Sequence, residues 1–280
     1  MKFAVSIYSF MQYIRAEKLS VTDCVAKAKE MGFDAIEIVD FVLGEDRTAT
    51  AKAIREKADE VGIEISNFAV GADLLAEDGV EKAKTLVDIA EILGVSYMRH
   101  AVTSGNSLKS FEGYDNVVDR LATACREVTE YALQKNIRTM TENHGYFSQD
   151  SLRVEKLINT VAHENFGMLV DLGNFLCADD DPVTAVGRCA KYAFCVHAKD
   201  FIVKNGQTAN PGEGFFVSRG GNFLRGTIIG HGDVPVLQCL RALKKAGFDG
   251  YVAVEFEGME DCLNGIRIGF DNLKNYVSML

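Results

Sequence analysis

Four side chains that can bind a metal ion stand at the ends of four successive β-rich runs in the second half of the chain. They are Glu142, Asp171, His197 and Glu255, and each closes a short run that is rich in apolar or β-branched residues. Three carboxylates and one imidazole form an oxygen-rich ligand set that suits one divalent ion. We expect Mn²⁺ first, with Mg²⁺, Co²⁺ or Zn²⁺ as alternatives. The pattern therefore predicts a single metal site held by these four residues.

These four residues can meet only if the runs that carry them are parallel strands of one sheet. Eight β-rich runs alternate with helical patterns along the chain, which is typical of repeated βα units. Eight parallel strands can close into a barrel whose carboxyl ends form one mouth. We therefore predict an α/β fold, a single (β/α)8 TIM-barrel domain over residues 1–280. The predicted strands are residues 3–7, 35–39, 63–67, 96–100, 137–142, 167–171, 193–197 and 250–255.

One connection is much longer than the others. The segment from Asp200 to Gly232 follows the seventh predicted strand, has 33 residues and contains eight glycines, whereas βα connections usually have about two to six residues. We expect a long Gly-rich loop, either a lid or a disordered segment, at the mouth of the barrel. Arg219 and Arg225 lie in this segment and are expected to bind a phosphate or carboxylate of the substrate.

Two further residues are expected to take part in catalysis beside Glu142 and Glu255. His144 lies two residues after Glu142, and Lys199 lies two residues after His197, so strand alternation places each on the cavity side. An imidazole titrates near neutral pH, which suits His144 as a proton carrier. The ammonium of Lys199 would neutralise an oxyanion or a phosphate.

Polar residues also stand at the ends of the second, third and fourth predicted strands. Glu37, Asn67, Arg99 and His100 are therefore expected to complete the wall of the substrate pocket. Another carboxylate, Glu257, follows the eighth strand and faces the same way as the last candidate ligand, but farther out. We interpret Glu257 as a solvated loop carboxylate.

The composition excludes several classes of function. The chain has 30 Lys and Arg against 40 Asp and Glu, a formal charge of -10, which disfavours nucleic acid as a partner. The longest uncharged stretch, residues 3–14, is too short for a membrane helix of about twenty residues. The seven cysteines form no C-x-x-C pair, which indicates reduced thiols and a cytoplasmic protein. The expected partner is a small-molecule substrate.

Four motifs resemble those of the xylose isomerase-like TIM barrels, which include sugar phosphate isomerases and epimerases and are grouped with the endonuclease IV (AP endonuclease family 2) superfamily. They are E-N-H at residues 142–144, D-x-G-N at 171–174, H-x-K-D at 197–200 and G-H-G-D at 230–233. The resemblance extends over nearly the whole chain. It implies that Glu142, Asp171, His197 and Glu255 bind the metal, and that Asn174 contacts the substrate or fixes its own loop. It also implies a homo-oligomer.

The resemblance implies a divalent-metal-dependent isomerase or epimerase that acts on a sugar or sugar phosphate, a carbohydrate substrate. Glu142 and Glu255 would exchange base and acid roles on opposite faces of the sugar, through a metal-stabilised enediolate. The ketohexose 3-epimerases of this family carry Glu, His and Arg at the places that here hold Ser148, Asn174 and Val203. The resemblance therefore does not extend to activity on free ketohexoses.

Three other functions fit the same barrel. A lyase, either a dehydratase or a C-glycoside-cleaving subunit, would use the same metal site to acidify a proton and could need a small β-rich partner subunit. An AP endonuclease fits less well, because Asn67 and Asn174 stand where that enzyme needs histidines. A non-catalytic sugar-binding barrel would bind its ligand without exchanging protons.

Overall fold

Eight parallel strands close into a barrel in the computed structural model, which describes residues 1–106 and 108–280. The barrel strands follow one another in chain order, and the last of them pairs with the first. The predicted (β/α)8 fold is thus confirmed, and three further strands, β8 to β10, lie outside the barrel. The strands are β1 (Lys2–Ser6), β2 (Ala35–Val39), β3 (Glu64–Val70), β4 (Tyr97–His100), β5 (Arg138–Glu142), β6 (Phe166–Asp171), β7 (Ala193–Ala198), β8 (Asp200–Lys204), β9 (Phe216–Val217), β10 (Phe223–Thr227) and β11 (Tyr251–Val254).

Helices connect the strands and cover the outside of the barrel. The helices are α1 (Met11–Arg15), α2 (Val21–Glu30), α3 (Arg47–Val61), α4 (Gly79–Leu93), α5 (Tyr114–Leu133), α6 (Ser151–Val161), α7 (Pro182–Cys189), α8 (Val236–Lys245) and α9 (Cys262–Ser278). In α5, for example, Val117, Leu121 and Val128 recur on one face and are buried. Gly62 and Gly94 end α3 and α4 in the left-handed conformation, with φ of 69° and 68°, which glycine adopts without strain. No helix in the described residues is long and apolar enough to span a membrane.

Small and medium-sized apolar side chains fill the barrel below its mouth. They form two buried clusters, one of Ala4, Ala35 and Ala253 and one of Met140, Leu169 and Cys195. Such close packing leaves little room for water beneath the polar groups at the mouth. The seven cysteines of the chain are buried free thiols.

Strand β3 is longer than the sequence pattern predicted. It runs from Glu64 to Val70 rather than ending at Asn67, and the register of its pairing with β2 shifts between Ile36 and Ile38. Asn67 therefore lies in the middle of the strand, below the mouth. The prediction that Asn67 ends the strand is wrong, because the buried apolar residues Phe68, Ala69 and Val70 continue the strand beyond it.

The long connection after β7 contains a small sheet, which corrects the expectation of a lid or a disordered loop. Strands β8, β10 and β9 pair antiparallel in that order. Asp200 holds the turn that leads back to the barrel. Its carboxylate accepts hydrogen bonds from the backbone N–H groups of Gly230, Gly232 and Val234 at 2.8, 2.9 and 3.0 Å. The H-x-K-D and G-H-G-D motifs therefore meet in this turn.

Replacing Gly232 by Ala is expected to destabilise the turn. A Cβ atom at Gly232 would lie 2.3 Å from Asp200 Oδ1 and 2.5 Å from the carbonyl oxygen of Phe201, so the backbone must shift and the bonds to Asp200 must weaken. We expect the free energy of unfolding in urea to fall by about 1–3 kcal/mol. The control is Gly187→Ala in α7, where a Cβ atom meets nothing within 4 Å and where alanine favours the helix. Equal stability of Gly232→Ala and the unmodified protein would contradict this account of the turn.

Candidate active site and metal centre

The four predicted metal ligands lie together at the mouth of the barrel. Glu142 and Asp171 end β5 and β6, His197 lies in β7, and Glu255 follows β11 directly. Their ligand atoms all lie within 4.8 Å of one another, and all four residues are buried. His197 Nδ1 is 3.3 Å from Glu255 Oε2 and 3.7 Å from both Asp171 Oδ2 and Glu142 Oε1. Three carboxylates therefore converge on one imidazole nitrogen.

The chemistry of this cluster fits a divalent metal ion. Among the residues that the structure describes, His197 Nδ1 and Asp171 Oδ2 are buried and have no hydrogen-bond partner. Burial alone would lower the pKa of His197, but Glu255 and Glu37 raise it well above its usual value. The carboxylates thus favour a positive charge at this position. A metal ion would supply that charge and give His197 Nδ1 a partner, whereas Asp171 Oδ2 already forms an ion pair with Lys199 at 3.3 Å.

Glu37 and Ser6 hold the imidazole of His197 from its other side. His197 Nε2 lies 2.7 Å from Glu37 Oε2, and the Ser6 hydroxyl donates to Glu37 Oε1 at 2.7 Å. A neutral imidazole that donates its Nε2 proton to Glu37 leaves the lone pair of Nδ1 free for a metal. Glu37 lines the cavity as predicted, but both of its oxygens are already engaged. Its position therefore points to orienting His197 rather than to binding substrate.

Arg99 and Asn174 hold the carboxylate of Glu142. Arg99 Nη2 lies 2.6 Å from Glu142 Oε2, and Asn174 Nδ2 donates to Glu142 Oε1 at 3.1 Å. Burial raises the pKa of Glu142, but Arg99 and then His197 lower it, to about 2 overall. Glu142 is therefore ionised at neutral pH. Asn174, which was predicted to contact the substrate, is 3% exposed, and its side-chain NH₂ group is engaged in this hydrogen bond.

The loop after β6 fixes the orientation of Asp171. Asp171 Oδ1 accepts hydrogen bonds from the backbone N–H groups of Gly173 and Asn174, both at 2.8 Å. The Asn143 side chain donates to the Asp171 carbonyl and accepts from its N–H, both at 2.9 Å. Oδ2 is left to face the cluster. This accounts for the spacing of the E-N-H and D-x-G-N motifs.

The cluster opens into a cavity of about 240 Å³ at the carboxyl ends of the strands. Tyr8 and Phe41 form part of its wall and meet edge to face, with ring centroids 6.1 Å apart. A larger opening of about 680 Å³ lies at the opposite end of the barrel and is lined by none of the candidate ligands. The charged residues that line the smaller cavity are Glu37, Asp40, Arg99, Glu142, Lys199, Glu255 and Glu257. The smaller cavity is therefore the candidate substrate pocket.

Lys199 lies in this cavity beside the ligand cluster, where its predicted catalytic role requires it. Its Nζ is 2.6 Å from Glu255 Oε2, 3.1 Å from Glu257 Oε1 and 3.3 Å from Asp171 Oδ2. Burial would lower the pKa of Lys199, but Asp171 and Glu255 raise it well above its usual value. Lys199 is therefore a buried cation surrounded by carboxylates.

His144 and Glu257 complete the polar lining near the opening. His144, the predicted proton carrier, lines the cavity and remains accessible to solvent. Desolvation of its ring lowers the pKa of His144, while Glu142 opposes this shift. Glu257 is an exposed carboxylate in the loop after β11, as expected, but it also lines the cavity and lies within reach of the Lys199 ammonium. Its spacing of two residues from Glu255 was the signal for this position.

Asn67 and His100 do not line the cavity. The amide oxygen of Asn67 accepts a hydrogen bond from the Ser66 hydroxyl at 3.1 Å, in the middle of β3. His100 follows Arg99, and adjacent residues of a strand point to opposite faces. Since Arg99 faces the cavity, the buried ring of His100 faces away from it, 5.9 Å from the ring of Phe166. The prediction that both residues form the pocket wall is corrected accordingly.

The two predicted anion-binding arginines also lie outside the cavity. Arg219 Nη1 pairs with Asp150 at 2.9 Å, and its other terminal nitrogen donates to the Tyr146 carbonyl. The guanidinium of Arg225 lies 5.6 Å from the centre of the Phe215 ring. Arg219 thus ties the β8–β10 sheet to the loop after β5, and neither arginine reaches the candidate substrate pocket.

His100 is expected to make the protein less stable in acid. Burial lowers the pKa of its ring from the ordinary value of 6.5 to about 4 in the folded protein. The unfolded chain therefore binds the proton more readily than the folded one. The stability that depends on a neutral ring is complete above pH 6.5 and is lost as the pH falls towards 4. This loss amounts to about 3 kcal/mol over the whole window.

His100→Gln should remove this acid-dependent loss. Urea unfolding of the metal-free protein between pH 7 and pH 5 should show a smaller decrease in stability for the variant than for the unmodified protein. The control is His231→Gln, because the side chain of His231 is exposed. This control should keep the original pH dependence. If His100→Gln also kept it, the buried ring would not be the source of acid sensitivity.

Comparison with known proteins places the chain in a family. A family model described as a xylose isomerase-like TIM barrel matches residues 25–276. The inosose dehydratase of Lacticaseibacillus casei is 22% identical over 175 residues, which are 60% of this chain and 58% of that enzyme. The match thus spans less than two thirds of the dehydratase. The rhizopine catabolism protein MocC of Rhizobium meliloti is 23% identical over 268 residues, 89% of this chain and 79% of MocC.

Solved structures show the same fold at low sequence identity. The D-psicose 3-epimerase of Clostridium cellulolyticum H10 has a TM-score of 0.76 and 15% identity, and the match covers 99% of both chains. The IOLI protein with a bound zinc atom has a TM-score of 0.74 and 16% identity, over 100% of this chain and 99% of that one. The family model, which extends over most of the chain, matches the family that the motifs resemble. This chain belongs to the xylose isomerase-like TIM barrel family.

Proposed function

We propose that this protein is an isomerase or epimerase that transfers a proton at a carbon atom of a sugar or a cyclic polyol ketone. The reaction would use one divalent metal ion, for which Mn²⁺ is our first choice. The observation that carries the proposal is the convergence of Glu142, Asp171 and Glu255 on His197 Nδ1 beside a polar cavity. The bound ion would supply the positive charge that polarises a carbonyl and an adjacent hydroxyl group.

The two glutamates are the proposed proton carriers. Burial raises the pKa of Glu255, but His197 and Lys199 hold it well below its usual range, so Glu255, like Glu142, is ionised and able to accept a proton. The two residues belong to β5 and β11, which are separated by two strands of the barrel. They therefore approach a molecule in the cavity from different sides. One would remove the proton and the other would return it.

The charges of the cavity favour an uncharged substrate. Its two strong cations are both engaged, Arg99 with Glu142 and Lys199 with Glu255. Within the described residues, the lining holds no other lysine or arginine. A phosphate group would face several carboxylates without a free cation to pair with. We therefore favour an unphosphorylated polyhydroxy ketone over a sugar phosphate.

A lyase is the second candidate. His144 and Lys199 lie in the cavity beside the two glutamates and offer proton donors that a leaving hydroxyl group would need. An α-proton would pass to a glutamate while the hydroxyl group leaves as water. The inosose dehydratase relative, at 22% identity, supports this alternative.

The test is uptake of deuterium from heavy water, followed by NMR, into ketoses, cyclic polyol ketones and their phosphorylated counterparts with the Mn²⁺-loaded protein. We expect deuterium to replace hydrogen at one carbon next to the carbonyl group of one unphosphorylated compound. A new double bond and loss of water would support the dehydratase instead. If no compound in the panel exchanged hydrogen or lost water, with bound Mn²⁺ verified, the proposal of proton transfer on this class of substrate would be overturned.

A further inference from the structure

The ammonium of Lys199 forms ion pairs with carboxylate oxygens that would also bind the metal. Its Nζ is 2.6 Å from Glu255 Oε2 and 3.3 Å from Asp171 Oδ2. These are the same two oxygens that face His197 Nδ1. Two cations that share partner oxygens repel each other strongly in a buried site. Lys199 and a divalent ion therefore compete for these oxygens unless the ammonium has another partner.

Glu257 offers that other partner. Its Oε1 lies 3.1 Å from Lys199 Nζ, and its side chain, 27% exposed, lines the cavity. Asn174 Oδ1 is a neutral acceptor at 3.2 Å. Neither group belongs to the four-residue cluster. Both can therefore remain hydrogen-bonded to the Lys199 ammonium when a metal ion binds the oxygens of Asp171 and Glu255.

We propose that Glu257 is a positioning residue for metal binding, which draws the ammonium of Lys199 away from Asp171 and Glu255 and so frees their oxygens for the ion. Lys199 is then an internal cation that limits the affinity for the metal, and Glu257 relieves this limit. The inference rests on the metal site of the proposed function, and it is independent of the reaction that the site performs.

A double-mutant cycle with Mn²⁺ as the probe tests this relation. The dissociation constant of Mn²⁺ is measured from the electron paramagnetic resonance signal of the free ion. Lys199→Met should tighten binding about tenfold, because it removes the competing charge. Glu257→Gln should weaken binding about tenfold when Lys199 is present. In the Lys199→Met background the same substitution should change affinity less than about threefold, because no ammonium is left to hold.

Asp40→Asn is the control for the loss of one cavity charge. Asp40 lines the same cavity, but its carboxylate accepts a hydrogen bond from the N–H of Gly71 at 3.3 Å. We expect less than about a threefold change in Mn²⁺ affinity, in keeping with screening of a partly solvated charge. Near-ultraviolet circular dichroism confirms that every variant is folded.

Two outcomes of the cycle would overturn the inference while leaving the metal site in place. If Glu257→Gln weakened binding equally in both backgrounds, Glu257 would act as a simple negative charge. If Lys199→Met weakened Mn²⁺ binding, Lys199 would support the ion rather than compete with it. Failure of the unmodified protein to bind Mn²⁺ would instead contradict the metal site of the proposed function, and this inference with it.

Discussion

Replacing Glu255 by Gln is expected to reduce the exchange of carbon-bound hydrogen with solvent at least about a thousandfold, through loss of a general base and of a metal ligand together. The Glu255 carboxylate lies 3.3 Å from His197 Nδ1 and 2.6 Å from Lys199 Nζ, so a neutral amide removes a charge from the centre of the cluster. Glutamine has nearly the same shape, and the fold should remain intact. The rate is measured by NMR in heavy water on the compound that exchanges with the unmodified protein.

Glu142→Gln should have an effect of similar size, because Glu142 is the second proposed proton carrier and also a ligand. The control is Glu64→Gln, at the opposite end of the barrel, where the carboxylate pairs with Lys2 at 2.9 Å. This control should keep the full exchange rate. Retained exchange in both Glu142→Gln and Glu255→Gln would exclude a mechanism that depends on the two glutamates.

Replacing Glu37 by Gln is expected to weaken metal binding about 10- to 100-fold, the usual cost of losing a group that orients a metal-binding histidine. Glu37 accepts the Nε2 proton of His197 at 2.7 Å in a site that is almost fully buried. The neutral amide of glutamine is a weaker acceptor and makes the imidazole a poorer ligand. It also leaves the tautomer of His197 less well defined.

Ser6→Ala is the graded control for Glu37. The Ser6 hydroxyl donates to the other oxygen of Glu37, so its loss should weaken metal binding less than Glu37→Gln does. The dissociation constant of Mn²⁺ is measured for both variants by titration with a competing chelator. If Glu37→Gln bound Mn²⁺ as tightly as the unmodified protein, the imidazole would not need this partner.

The candidate ligands were predictable because each signal is local. Glu142, Asp171, His197 and Glu255 each close a short run of apolar or β-branched residues, and parallel strands bring such ends to one mouth whatever their separation in sequence. The depth of a residue below the mouth was harder to predict. Asn67 lies too deep because β3 continues through the apolar residues Phe68, Ala69 and Val70, which the predicted strand left out.

Pairings between distant residues could not be predicted from the sequence. The bond between Glu37 and His197 joins residues 160 positions apart, and nothing in either local sequence indicates it. Arg219 lies in the connection that contains the β8–β10 sheet, whose antiparallel pairing depends on long-range contacts. By contrast, the outward direction of His100 was predictable, because Arg99 and His100 are neighbours and cannot both face the cavity.

The measurement that tests the metal site most directly is anomalous diffraction at the manganese absorption edge from crystals of the Mn²⁺-loaded protein. We expect one strong anomalous peak at the mouth of the barrel, among the side chains of Glu142, Asp171, His197 and Glu255. We also expect Glu37 to remain hydrogen-bonded to His197 Nε2. A Mn²⁺ ion bound elsewhere, or no peak among these four side chains at saturating Mn²⁺, would contradict the account.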